Sequence, residues 1–400
     1  MSSKFSFLER IRSLAIVSLG GFGVFAAFSI YNENEKFYKQ FVLPAVYILQ
    51  PEQAHNLAVF VNKHSLLPQS SFKDPDALKV KLFGKVLSNP VGIAAGYDKH
   101  GEAVKGLEKM GFGFVEVGSV TPAPQPGNKR PRLFRLLDDQ AIINRYGFNS
   151  EGHERVYKRL ADVRFAQQHN GVVGVNLGKN KRSADPAEDY VQGVKTFAHV
   201  ADYLVVNISS PNTPGLTQLQ EKQQLKNLLR KVVAARNKLP AEHKPPILLK
   251  LSPDLTSEEL QDVVEVVRQK DTHVDGFIVA NTTVKRPHTL KSFHYKKEQG
   301  GLSGLPLKDA STKMIADVYR LTNGMDIIGV GGIYNGKDAY DKIRAGAKAV
   351  QIYTSLVYEG PTVVTKIKQE LVELLRADGY KNVTEAVGAD VYKRQPKWSF

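Results

Sequence analysis

At 400 residues and 42% hydrophobic content, the chain can build one large domain or two ordinary ones and is not globally disordered. The absence of cysteine excludes disulfides, thiolate metal ligands and a cysteine nucleophile. A formal charge of +15 could serve nucleic acid, an anionic membrane or an acidic substrate, but the basic residues are spread out and accompany no recognition motif, so no nucleic-acid partner is expected.

The chain opens with the basic stretch "MSSKFSFLERIR", followed by "SLAIVSLGGFGVFAAFSIYN" from Ser13 to Asn32, which carries no charge. About 20 such residues, at roughly 1.5 Å each, reach across the hydrocarbon layer of a bilayer. Gly20, Gly21 and Gly23 are tolerated there, because a membrane helix keeps its backbone bonds internal. A cleaved secretory signal or a buried helix would share this pattern, yet "SIYNENEKFY" is a poor cleavage site. Residues 1–32 are therefore expected to be a targeting segment and a retained single-pass anchor. Basic residues before an apolar stretch also fit a mitochondrial address, against which Glu9 weighs.

Residues 33–70 carry two helical patterns broken near Pro51. Apolar side chains recur at Phe41, Val42, Ala45, Val46 and Leu49, then at Leu57, Phe60 and Val61, a spacing of three and four that makes amphipathic faces. Such a pair could cap a globular core or, directly after an anchor, lie at a membrane interface.

From 71 to 390 short apolar runs alternate with longer helical stretches. The runs are "NPVGIAAG", "FGFVEVGSV", "GVVGVNLG", "DYLVVNIS", "PILLKLS", "DGFIVANTT", "DIIGVGG" and "KAVQIYTS". Continuous apolar runs of this kind suit strands covered on both faces. One intervening helix announces itself with a capping box, Thr256 and Glu259. Eight such units predict a (β/α)8 barrel, with an open doubly wound sheet as the alternative. The connection after "EVGSVT" departs from the rhythm: "PRLFRL" and "QAIIN" around Asp138 and Asp139 read as an inserted β-hairpin.

In a barrel of this kind the carboxyl ends of the strands face the active site. Read in order, those ends carry Ala95, Gly96 and Lys99; Gly118 and Ser119; Asn176; Asn207, Ser209, Ser210 and Asn212; Lys250; Asn281 and Thr282; Gly331 and Gly332; Tyr353 and Thr354. Each alone would pass for a turn or cap residue. Together, the amides offer donor and acceptor pairs to a flat polar ring, and the two lysines offer charge to an anion. "GVGGI" after the seventh run and "QIYTS" at the eighth fit a phosphate site. No convergent His/Asp/Glu set points to a catalytic metal. A bound cofactor is then expected to carry the hard chemistry, and a phosphorylated one with two lysines nearby suggests FMN (flavin mononucleotide).

The stretches "NPVGIAAGYDKHGEAV", "GFGFVEVGSVTPAPQPGNKRPRLFRL", "NRYGFNS", "GVNLGKNK", "NISSPNTPGL", "GLSGLPL" and "IGVGGI" closely resemble the membrane-bound class of dihydroorotate dehydrogenase. The likeness runs from about Glu35 to about Gly388. It implies an FMN-containing (β/α)8 barrel that oxidises dihydroorotate to orotate in pyrimidine synthesis and passes electrons to ubiquinone. It also implies a monomer on the mitochondrial inner membrane, in contact with its lipid. Carried over by position, the catalytic base falls on Ser210. Orotate contacts fall on Asn144, Asn207, Asn212 and Asn281, with Lys99, Thr282 and the run Arg145, Tyr146, Gly147 and Phe148 beside them. The flavin falls to Ala95, Gly96, Ser119, Asn176, Asn207, Lys250, Ala280, Ser303, Gly304, Gly332, Tyr353 and Thr354. A quinone tunnel between the helix pair and the barrel would have His55, Arg135 and Tyr353 near its inner end. Residues 391–400, "VYKRQPKWSF", do not match the usual ending of that class.

Overall fold

The structure, a computed structural model, describes residues 7–392. The eight predicted runs become eight parallel strands: β1 (Val91–Ile93), β2 (Phe114–Val120), β3 (Val172–Leu177), β4 (Tyr203–Asn207), β5 (Ile247–Lys250), β6 (Gly276–Val279), β7 (Asp326–Val330) and β8 (Ala349–Ile352). Each pairs with its sequence neighbours, and β8 closes back onto β1 through Val350↔Val91, Gln351↔Gly92 and Ile352↔Ile93. The doubly wound alternative is thereby set aside.

Two large rings inside the barrel lie on glycines of the preceding strand. A Cβ on Gly92 would come within 2.3 Å of the Phe114 ring, and one on Gly174 within 2.1 Å of the Tyr203 ring. These glycines let bulky side chains fill a narrow interior without voids. Outside, helices bury one apolar stripe each, as Leu260, Val263, Val264 and Val267 do on the helix Ser257–Val267. Its capping box is formed as expected: the Thr256 side chain accepts from the Glu259 N–H, while Glu259 accepts from the Thr256 N–H at 2.7 Å.

The inserted hairpin is present as Leu133–Leu136 and Ala141–Asn144, joined by a turn at 137–139. A third strand, Gly301–Gly304, adds antiparallel to Ala141–Asn144 and makes a small sheet over the carboxyl end of the barrel. Tyr358 ties that sheet down, its hydroxyl donating to the carbonyl of Ala141 at 2.6 Å.

Toward the N-terminus, α1 (Phe7–Tyr31) is long and apolar enough to cross a membrane by length and composition. The helix pair that follows is also present. Its first member is wound irregularly, as Glu35–Phe37, a π-helical turn Tyr38–Val42 and Leu43–Tyr47. The second is α2 (Pro51–Lys63), with Pro51 in its first turn. The junction is fastened in two ways. Phe22 and Phe25 of α1 meet Phe37 and Phe41, with ring centroids 5.6–6.4 Å apart. Glu33 accepts from Ser70 and Thr365, Lys366 reaches Glu35 at 3.2 Å, and Lys39 reaches Glu359 at 2.6 Å. Thr365 and Lys366 belong to α3 (Val363–Ala377), one of the barrel's outer helices.

Candidate active site

The carboxyl ends of seven of the eight strands and the small sheet enclose a cavity of about 1160 Å³, counting its open mouth. It is large enough for a cofactor-sized ligand. Ala95, Gly96, Lys99, Ser119, Asn144, Tyr146, Gly147, Phe148, Asn207, Ser210, Asn212, Lys250, Ala280, Asn281, Thr282, Ser303, Gly304, Gly332, Tyr353 and Thr354 all line it. Four expected site residues do not. Asn176 is fully buried behind the wall, His55 lines a neighbouring cavity, Arg145 turns to Glu298, and Arg135 uses Nη2 on the helix pair while its Nη1 is buried without a partner.

The wall has two chemically distinct parts. One is a web of amides. Asn207 donates to Ser119 Oγ at 3.0 Å and to Asn176 Oδ1 at 3.1 Å. Asn281 donates to Asn207 Oδ1 at 3.2 Å and to Ser209 Oγ at 2.9 Å, and Asn212 donates to Asn144 Oδ1 at 3.2 Å. The web separates the two serines of "NISSPNT". Ser209 is consumed by it, accepting from Asn281 and donating to Asn207 Oδ1 at 3.2 Å. Ser210 lines the cavity, and its oxygen accepts the backbone N–H of Asn212 at 3.4 Å.

The other part is a glycine cradle formed by Gly304, Gly331 and Gly332, with Ser303 and Thr354 beside it. Gly332 has a left-handed φ of 69°, and a Cβ there would meet the Lys308 backbone at 2.5 Å. Close approach of main chain and small hydroxyls suits a phosphate. Ser303 and Thr354 share a hydrogen bond at 2.8 Å across the cradle.

Below the cavity stands a group that the sequence reading passed over. Glu116 of β2 is fully buried inside the barrel. It accepts from Asn176 at 2.9 Å, Gln351 at 2.6 Å and Tyr203 at 3.3 Å, and Lys250 Nζ stands 4.0 Å away. Five strands are thus joined through one carboxylate, which supports both Asn176 and Lys250 from beneath. A glutamate in the middle of the apolar run "FGFVEVGSV" was the available signal. Burial lowers the Lys250 pKa, and Glu116 opposes that shift. Thr213 was missed as well: it is buried three residues after Ser210, and its hydroxyl has no partner.

Lys99 is held by its own loop, donating to the Gly96 carbonyl at 2.6 Å and to His55 Nε2 at 3.2 Å. Its ammonium also sits 4.2 Å from the centre of the Tyr146 ring. Burial, reinforced by Arg132, brings its pKa down to about 7. His55 itself stays neutral, its pKa pushed well below the usual value by burial and by Lys99. Of the three residues expected around a quinone, His55 and Tyr353 meet, Tyr353 Oη lying 3.3 Å from His55 Nδ1. Arg135 instead binds the end of the first helix of the pair, donating to the carbonyls of Tyr47 at 3.0 Å and Leu49 at 2.5 Å. Arg145 turns outward to Glu298 at 2.5 Å and lies over Phe134. Its side chain orders the loop beside the mouth and does not face the cavity.

The sequence matches the family described as dihydroorotate dehydrogenase over residues 77–375. The mitochondrial dihydroorotate dehydrogenase (quinone) of Mus musculus is 50% identical over 388 residues, covering 96% of this chain and 98% of that protein. The dihydroorotate dehydrogenase (quinone) of Xanthobacter autotrophicus is 50% identical over 353 residues, covering 87% and 98%. The crystal structure of the Eimeria tenella enzyme in complex with ferulenol superposes with a TM-score of 0.83 at 44% identity, covering 88% of this chain and 99% of that one. An eight-stranded barrel, an amide-lined cavity joined to a glycine cradle and these matches agree, and the chain belongs to the dihydroorotate dehydrogenase family.

Proposed function

We propose that this protein oxidises dihydroorotate to orotate in pyrimidine synthesis and passes the electrons to ubiquinone, with Ser210 as the base. The observation that carries the reading is the separation of the two serines. Ser209 is locked into the amide web, while Ser210 faces the cavity with a hydroxyl whose proton is uncommitted.

The oxidation removes a proton from one ring carbon and a hydride from its neighbour. FMN supplies the acceptor for that hydride. The residues that would hold it are Ala95, Gly96, Ser119, Asn207, Lys250, Ala280, Ser303, Gly304, Gly332, Tyr353 and Thr354, with Asn176 acting from behind through Ser119 and Asn207. They fit an anionic cofactor with a flat polar ring: the glycine cradle leaves main chain and the Ser303 and Thr354 hydroxyls open to a phosphate, and Lys250 stands buried at the cavity wall. Asn144, Asn207, Asn212 and Asn281 would grip the edges of the substrate ring, and Lys99 its carboxylate. Fixing the ring in this way aligns the reacting carbon with Ser210. A serine is a weak base, so its oxygen must be stabilised as it gives up its proton. The Asn212 N–H provides that contact.

His55 and Tyr353 would meet the quinone, with Arg135 fixing the helix pair beside them. We further infer that α1 anchors a monomer once through the mitochondrial inner membrane. The apolar helix and the mitochondrial relatives support a mitochondrial membrane association. The test is anaerobic: dihydroorotate should bleach the yellow protein, and a quinone, but neither fumarate nor NAD, should restore the colour. A folded, FMN-free, colourless protein would sink the reading.

A further inference from the structure

The substrate-side lysine and the quinone-side pair are one connected chain. Lys99 Nζ lies 3.2 Å from His55 Nε2, and His55 Nδ1 lies 3.3 Å from Tyr353 Oη. An ammonium has three N–H donors and no acceptor. Lys99 spends one on Gly96 and one on His55, which leaves one for the cavity that Lys99 lines. Because an ammonium can only donate, the neutral imidazole must accept at Nε2 and carry its own proton on Nδ1. Nδ1 then donates to Tyr353, whose hydroxyl proton is left to point onward. Every donor in the chain faces the same way.

Behind the chain is a second cavity, separate from the central one and open to solvent. It is lined by Glu52, Lys63, His100 and Glu102 together with His55 and Lys99. Lys99 is shared between the two. This gives the chain a polar cavity at its back, while Tyr353 at its front lines the central cavity.

We propose that Tyr353, His55 and Lys99 form a proton relay from this side cavity to the quinone, so that one lysine serves both half-reactions. The proposal rests on the reading of the site given above. Oxidation of the substrate releases two electrons and two protons, and reduction of a quinone to a quinol consumes the same number. One proton leaves through Ser210 to solvent and the other hydrogen leaves with the hydride, so the quinol's second proton must be drawn from solvent at the quinone. In the relay the Tyr353 O–H bond breaks as an O–H bond forms on the quinone oxygen. His55 passes its Nδ1 proton to Tyr353, and Lys99 passes an N–H proton to His55 Nε2. Lys99 is then reprotonated through the side cavity, and no member is oxidised or reduced. The groups facing the relay are Glu52 of α2, Arg132 of the hairpin, and Tyr97, Asp98, His100 and Tyr146 from the loops around it. Burial and the positive charge of Arg132 outweigh Glu52 and Asp98, so Lys99 releases a proton near neutral pH.

The experiment uses the FMN-loaded full chain, reduced anaerobically with dihydroorotate and then mixed with saturating short-chain ubiquinone in H2O and in D2O. The wild type should show a solvent isotope effect on the limiting rate. His55→Ala should lower that rate by about a hundredfold, the scale of a lost proton-transfer group. Added imidazole should restore part of it. The loss with quinone should exceed the loss with ferricyanide, which takes electrons without protons. In the ¹⁵N-histidine-labelled holoenzyme, NMR should find His55 neutral with its proton on Nδ1. A change confined to KM, with the isotope effect unaltered in His55→Ala, makes His55 a binding contact only and overturns the relay; so does an Nε2–H tautomer. If dihydroorotate fails to bleach the flavin at all, the reading of the site falls and the relay with it.

Discussion

Lys250 Nζ stands 4.0 Å from the carboxylate of Glu116 inside the barrel, with side-chain exposures of only 6% and 0%. A buried pair of this kind is costly to assemble and costlier to break, because removing one partner strands the other without water. Glu116→Ala should therefore destabilise the protein by about 3–5 kcal/mol, as breaking buried pairs does. It also deprives Asn176, Tyr203 and Gln351 of their shared acceptor. Calorimetric unfolding would register this as a lowered Tm, and an unchanged Tm would deny Glu116 a structural role.

The two serines give a sharper contrast. Ser210→Ala should reduce turnover by about 10²–10⁴-fold, the range of a general base, while flavin absorbance stays at wild-type stoichiometry. Ser209→Ala removes hydrogen bonds within the amide web at roughly 1 kcal/mol each, so its effect on turnover should be nearer tenfold. Steady-state assays on matched flavin-loaded samples compare the two. Equal losses would mean that the base is misassigned.

Binding of the anionic product should depend on pH through Lys99. Its pKa in the free protein is brought down to about 7, chiefly by burial and then by Arg132. Below that value the ammonium is present and carboxylate affinity is at its plateau. Above it the site must take up a proton as the anion binds, so affinity falls by up to about tenfold per pH unit. Titration calorimetry of orotate at pH 8, in two buffers of different ionisation enthalpy, should read that uptake directly. Lys99→Met should bind weakly at every pH and show no proton uptake.

Removing residues 1–32 should leave an enzyme that still bleaches with dihydroorotate and reduces a soluble dye. The cut takes away Phe22 and Phe25 and uncovers Phe37 and Phe41, aromatic contacts worth about 0.5–1.5 kcal/mol each. Light scattering should therefore report faster aggregation for the truncated form, and Phe41→Ser should slow it. Loss of dye activity would contradict an anchoring role for α1.

Much of this was legible in the sequence because strand ends announce themselves. The run "DYLVV" turns polar at Asn207, and "PILLK" does so at Lys250, so both the barrel and the positions at its mouth could be read along the chain. Pro51 marked the break in the helix pair, and Thr256 with Glu259 marked a helix start. What stayed hidden depends on pairing across long separations. Gly301–Gly304 looks like a loop until it meets Ala141–Asn144. Arg145 sits in a motif whose neighbours line the cavity, and nothing local reveals that Glu298 draws it outward. Asn176 sits at a strand end, but the ladder turns it toward Glu116 and behind the wall.

The fastening of the segment just after α1 to the barrel through Glu33, Glu35 and Lys39 has a further consequence. Isolated surface ion pairs contribute little to stability, but several at one joint restrict its orientation. A protein on a slack leash would present its face to the bilayer only by chance. If α1 spans a bilayer as proposed, a stiff stalk gives the barrel one compass bearing relative to the lipid plane.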